Sequence, residues 1–162
     1  MAIKILVCGG TFDKEYDEIK EQLIFRETHL PQMLKRGRCR LDLDIITVML
    51  IDSLKMTDAD RKIILETCQK SKEDKIVITH GTSKIVETAK FLAESIKDRT
   101  IVLTGAMSPY AFGSSDGLFN LGCALAFVQT LPRGVYIAMN GKYFSWDNVK
   151  KNESTGMFET LK

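Results

Sequence analysis

The sequence predicts a three-layer α/β sandwich, doubly wound on a mainly parallel sheet. Three observations carry that expectation. Short runs rich in Ile and Val recur at Ile3–Cys8, Leu43–Met49, Lys75–Thr79, Thr100–Thr104 and Val135–Met139. They are nearly continuous rather than alternating, as strands buried on both faces of a parallel sheet are. Segments with helical periodicity lie between them, so strand and helix alternate along the whole chain. At 162 residues there is enough chain for one domain with a sizeable core, and too little for two comfortable ones.

Taken in order, the first run ends at Gly9-Gly10-Thr11 and passes into Phe12 to Gln22, a highly charged segment without glycine. Residues 27–36 form a weaker helical candidate, interrupted by Pro31. The densest basic run, Lys35-Arg36-Gly37-Arg38-Cys39-Arg40, reads as a solvated turn beside a glycine rather than a binding patch. The second strand leads to Leu50-Ile51-Asp52-Ser53. Thr57-Asp58-Ala59-Asp60 then has the form of a capping box, with Ile63, Ile64 and Cys68 following on one face.

The third strand leads into His80-Gly81-Thr82-Ser83. After Ser83, Ile85, Ala89, Leu92 and Ile96 recur at helical spacing. The fourth strand leads into Gly105-Ala106-Met107-Ser108-Pro109, and Leu118, Leu121, Leu125 and Val128 form the next helical face. From about Gly141 onward, aromatics, Asn and Lys lack clear periodicity. That predicts a β-hairpin extension and a partly ordered tail. The sum is a single Rossmann-like or flavodoxin-like domain over residues 1–162, with no repeats and no low-complexity linker.

Composition narrows the function classes. Hydrophobic content of 44% and charged content of 27% are ordinary for a globular protein. A net charge of +2 gives no reason to expect a nucleic-acid or membrane partner. Cys8, Cys39, Cys68 and Cys123 are widely spaced, with no CxxC and no clustered His, which argues against a zinc site or a disulfide scaffold. No metal and no organic cofactor is expected. Cys8, Cys68 and Cys123 lie in apolar stretches and read as small buried hydrophobes. The N-terminus lacks a signal-peptide pattern, and no apolar run approaches the roughly 20 residues that span a bilayer. A reduced, cytoplasmic domain is the expectation.

In doubly wound folds ligands bind at the carboxyl ends of the strands, where strand order reverses. Four of the loops there carry small residues, hydroxyls or both, which together mark a site. Gly10-Thr11-Phe12-Asp13 also begins like a nucleotidyltransferase phosphate loop. Such loops need an HxGH element, and residues 14 to 28 contain no histidine; His29 and His80 are the only two in the chain. That chemistry is set aside.

Read together, "VCGGTF", "VITHGTS" and "VLTGAMSP" followed by "SSDGLFNL" resemble the N-terminal domain of the bacterial-type L-asparaginase family, in order and in spacing. "IDSLKMT" resembles the segment between that family's first two signatures. The resemblance covers essentially the whole chain and implies a threonine amidohydrolase that releases ammonia from a small side-chain amide. It implies that Thr11 is the nucleophile and that Thr82 is activated through a lysine matching Lys151, with Lys150 the neighbouring alternative. A threonine hydroxyl is a poor nucleophile until a neighbouring base takes its proton. Backbone N–H groups around Gly10 and Gly81 would stabilise the oxyanion. Ser53 would hold a substrate carboxylate, and the Ala106 carbonyl would face the leaving nitrogen. Ser83 is the remaining substrate contact.

Taken singly, each residue has a plainer reading. Thr11 would serve equally as a turn cap, Thr82 or Ser83 as the N-cap of the helix that follows, Lys151 as a solvated lysine, and His80 as a packed, hydrogen-bonded core histidine. The chain also departs from the family pattern. Ser83 stands where the family has an aspartate that binds the substrate ammonium, Leu54 where many relatives have a polar contact, and Ser108 where they have arginine. The Phe12–Gln22 segment replaces a glycine-bearing lid, with Tyr16 its nearest phenol. Family members are about twice as long, so the family C-terminal domain is expected to be missing. A homodimer is expected, built on apolar rim residues Tyr110, Phe112 and Phe144. The alternative is a non-catalytic binding or assembly subunit on the same fold.

Overall fold

The sheet order is β4-β1-β5-β6-β7-β8, and it reverses direction between β1 and β5. These strands are β1 (Ile3–Gly9), β4 (Leu43–Ile51), β5 (Lys75–Thr79), β6 (Thr100–Thr104), β7 (Gly134–Met139) and β8 (Lys142–Ser145). All pairings are parallel except β7 with β8, the expected hairpin extension. This computed structural model describes residues 1–162. Each expected strand is present, with the first two running on to Gly9 and Ile51 and the last starting at Gly134.

Side-chain alternation along the strands divides the interior into two cores. Leu6, Cys8, Ile76, Ile78, Ile101 and Leu103 face α2 (Asp58–Lys70) and α3 (Ile85–Ser95). Ile3, Ile5, Val7, Val77 and Val102 face α1 (Leu30–Arg36) and α4 (Gly117–Thr130). Burial on both faces is why these strands read as continuous apolar runs. Lys4 is the one charged side chain inside β1, and an ion pair to Asp44 on the neighbouring β4 keeps it satisfied.

The helix signals were legible. Thr57 and Asp60 close a reciprocal capping box at the start of α2. Pro31 does not break α1 but sits in its first turn, where a missing N–H costs nothing. The basic run begins with Lys35 and Arg36 in the last turn of α1 and continues into a solvent-facing turn with Arg38 at φ 53.

Four expectations need correction or refinement. The Phe12–Gln22 segment, read as the charged replacement for a lid, has regular structure. It folds as a hairpin of β2 (Glu15–Asp17) and β3 (Gln22–Ile24), held at its base by Arg26 bonded to Glu15 at 2.6 Å. The tail forms a second hairpin of β9 (Lys150–Lys151) and β10 (Phe158–Glu159), because Phe158 buries itself in the core beside Phe144. Cys123 is only half-buried, since it lies toward the flank of α4 rather than on the core-facing line of Leu121, Ala124 and Val128. Tyr110 and Phe144 are core residues, one in each cluster, and only Phe112 is exposed.

The capping box gives a test of this layer alone. Thr57→Ala removes a side-chain acceptor from an exposed helix start and should cost about 1 kcal/mol of unfolding free energy in urea titrations. The m-value should not change, because the surface exposed on unfolding is the same.

Candidate active site

Strand order reverses between β1 and β5, so the loops after these two strands flank the crevice. Two glycines decide how closely they approach. Gly10 holds φ +74, a conformation that side chains rarely adopt. A Cβ there would lie 2.4 Å from both Cα and N of Gly81. A Cβ on Gly81 would lie 2.5 Å from Ser53 Oγ. The loops after β1 and β5 are thus stacked backbone on backbone, and the Ser53 side chain packs onto Gly81 from the loop after β4. Neither glycine has room for a side chain. Thr11 and Thr82 each follow one of these two touching residues.

Thr11 opens a short 3-10 turn, Thr11–Asp13, and is half-buried. The turn is tied down on both sides. Lys14 Nζ donates to Asp52 Oδ2 at 2.7 Å, across to the loop after β4. That bond, with a second from Leu54 N, holds the Asp52 carboxyl below the ordinary carboxylate range. Asp13 Oδ1 accepts from Thr28 Oγ1 and His29 N, linking the turn to the start of α1. Asp13 is buried, which raises its pKa by desolvation.

Thr82 is buried, and its hydroxyl accepts from Lys151 Nζ at 2.9 Å across 69 residues of sequence. Of the two lysines only Lys151 makes this contact, because Lys150 turns away to Glu159 at 3.4 Å. It also removes the plain capping reading of Thr82 and Ser83, since Lys84 is the residue before α3 and no side chain caps that helix. Ser53 is buried, and its Oγ accepts from Lys84 N at 3.2 Å. Ser83 is exposed, and Ala106 is buried on the loop after β6. Thr82 Oγ1 also lies 3.6 Å from Met107 Sδ. Leu54 is exposed.

Three contacts went unread in the sequence. The first is the Lys14–Asp52 bridge, whose partners lie 38 residues apart. The second is Asp116, whose carboxylate accepts from Met107 N and Ser108 N and so shapes the loop that carries Ala106. The third supports Gly81. His80 Nδ1 lies 2.7 Å from Gly81 O, and a carbonyl only accepts, so Nδ1 carries the proton. Nε2 then accepts from Thr88 Oγ1 at 2.8 Å, and Thr88 in turn accepts from Arg61 Nε at 3.2 Å. Burial drives the His80 pKa down to about 4, and Arg61 adds to that. His80 is therefore the packed, neutral histidine that the sequence suggested.

The family model "Asparaginase, N-terminal" matches residues 2–161. The chain belongs to the asparaginase family, over its N-terminal domain. Among curated relatives, L-asparaginase 2 of Escherichia coli is 41% identical over 88 residues, which is 52% of this chain and 25% of that protein. A glutaminase-asparaginase of Pseudomonas fluorescens is 37% identical over 92 residues, again 25% of its length. Among solved structures, the thermostable L-asparaginase from Thermococcus kodakarensis superposes with a TM-score of 0.88 at 26% identity, covering 99% of this chain and 51% of that one. A probable cytoplasmic L-asparaginase from Campylobacter jejuni gives 0.81 at 33% identity, covering 98% and 52%. The chain spans about half the length of these solved relatives.

Two outcomes follow from this geometry. Gly81→Ala puts a methyl group into Ser53 and should separate the stacked loops, lowering stability by about 1–3 kcal/mol in urea unfolding. His80 gives a pH signature. Its folded pKa lies below its unfolded value of about 6.5, so the unfolded chain takes up the extra proton. The His80 contribution to stability is complete above pH 6.5 and is lost as pH falls towards 4. The loss amounts to about 3 kcal/mol. Urea midpoints measured across that range should drop in the wild type, and the drop should be smaller in His80→Gln.

Proposed function

We propose that the chain acts as an asparaginase-like amidohydrolase, with Thr11 as the nucleophile and Thr82 with Lys151 as the activating pair. The observation that carries the reading is the 2.9 Å bond from Lys151 Nζ to the buried Thr82 hydroxyl. A lysine at the far end of the chain, on a two-residue strand, meets a threonine after β5. A solvated surface lysine has no reason to be held there. Membership of the asparaginase family and the likeness to L-asparaginase structures support the same chemistry.

In this reading Thr11 Oγ attacks the amide carbon, its proton passes through Thr82 and Lys151 to the leaving nitrogen, and ammonia departs. Water then releases the ester. N–H groups around Gly10 and Gly81 stabilise the oxyanion, because they are held rigid by the stacked backbones. Ser53 and Ser83 contact the substrate, and the Ala106 carbonyl faces the leaving nitrogen. Residues 1–162 form one asparaginase N-terminal-like domain.

Assembly and setting belong to the same proposal. A homodimer is expected, but the apolar surface for it is not the rim first anticipated. Exposed Phe119 on α4 and Tyr143 on β8 supply it, together with Phe112. No helix is long and apolar enough to cross a membrane. All four cysteines are free, which fits a cytoplasmic location.

Ammonia release from L-asparagine, L-glutamine and small amides tests the chemistry. Thr11→Val should lower turnover by roughly 10³-fold or more, and Lys151→Met by about 10²–10⁴-fold, with far-ultraviolet circular dichroism unchanged. Ligand-induced thermal stabilisation without any turnover would support the binding-subunit alternative instead. Sedimentation at micromolar concentration should give a dimer, and a monomer would refute that part.

A further inference from the structure

The charges around the crevice say more about which amide it would accept. On the loops after β1, β4 and β6 no carboxylate is both free and accessible: two are engaged, and the third, Asp13, whose Oδ2 has no partner, is wholly buried. Asp52 is held by Lys14 Nζ and Leu54 N. Asp116 accepts from Met107 N, Ser108 N and Asn120 Nδ2. Asp13 is fully buried beneath Thr28 and His29. Lys151 Nζ bonds to a neutral hydroxyl and makes no ion pair with a carboxylate. Lys84 adjoins Ser83, and its exposed ammonium reaches only Glu87, at 3.6 Å.

Backbone donors point the same way. His80 N and Lys84 N donate to Thr104 O and Ser53 Oγ. The N–H groups of Thr82 and Ser83, which lie between them, donate to nothing within the chain. They lie just ahead of the eleven-residue helix α3, whose dipole favours an anion there. A carboxylate therefore meets free donors beside the Lys84 ammonium, whereas an ammonium group finds no accessible free carboxylate on the loops after β1, β4 and β6.

We infer that the site prefers amides that carry a carboxylate and no α-ammonium group, that is, the half-amides of small dicarboxylic acids. This rests on the amidohydrolase reading above and adds the substrate class to it. The step balances as before: the C–N bond breaks, ammonia leaves, and water returns the Thr11 hydroxyl with release of the dicarboxylate.

Ammonia release by the full chain from succinamate and from L-asparagine is the test. Succinamate should give kcat/KM at least about tenfold higher, the cost of leaving a charged group without its partner. Ser83→Asp should reverse that order by supplying a carboxylate beside the free N–H groups. Wild type turning over L-asparagine as well as succinamate, or better, overturns the inference while leaving the amidohydrolase reading intact. Glu153, exposed on the β9–β10 turn two residues from Lys151, provides a second check. If Glu153→Gln selectively removes turnover of L-asparagine, that carboxylate receives an ammonium and the inference fails. Binding keeps it testable if turnover is absent: thermal-shift titration should give a Kd for succinate at least about tenfold below that for L-aspartate. Equal affinities overturn it.

Discussion

The contact of Gly10 with Gly81, and of Gly81 with Ser53, is the constraint on which the site depends. Three strands deliver three loops to one point, where Gly10 meets the backbone of Gly81 and the Ser53 side chain packs onto Gly81, because neither glycine has a side chain. Rigid placement follows from sterics rather than from many weak bonds. The donors that would face a reacting oxygen therefore need no rearrangement when charge develops. Ion pairing then fixes the periphery, through Lys14 with Asp52 on one side and Asp116 with the Met107 and Ser108 N–H groups on the other.

Beneath this layer, His80 explains how a loop can be both buried and polar. Its two ring nitrogens are satisfied by Gly81 O and Thr88, and Thr88 is satisfied by Arg61. Nothing is left over in that row, so the neutral ring is stable where a charged one would not be. At the far end of this row the buried Arg61 also pairs with the exposed Asp58 at 3.0 Å. That ion pair is thus connected to the crevice through two neutral groups.

Much of this was legible in the sequence, for identifiable reasons. The strands announced themselves because both faces are buried, and α2 because Thr57 and Asp60 are local partners. The site loops were legible because a doubly wound sheet puts every carboxyl end on one edge. What stayed hidden was non-local or depended on packing. The β2–β3 hairpin carries no glycine turn; Glu21 supplies a left-handed φ of 53 instead, which side chains seldom do. Tyr110 and Phe144 looked like rim residues, and only the third dimension shows that the short turn at Tyr110 and the edge strand β8 fold inward. Lys14 with Asp52 is a pair that only the β1–β4 register creates.

The bond between Lys151 and Thr82 also has a consequence in time. β1 sits between β4 and β5, so it cannot be flanked on both sides until residue 79 has been made. The lysine comes later still, on a strand whose partner is β10 at residues 158–159. A nascent chain thus builds its sheet, its stacked glycines and its threonines before the ammonium group arrives. A chain stopped short of residue 151 therefore carries Thr82 without the bond from Lys151.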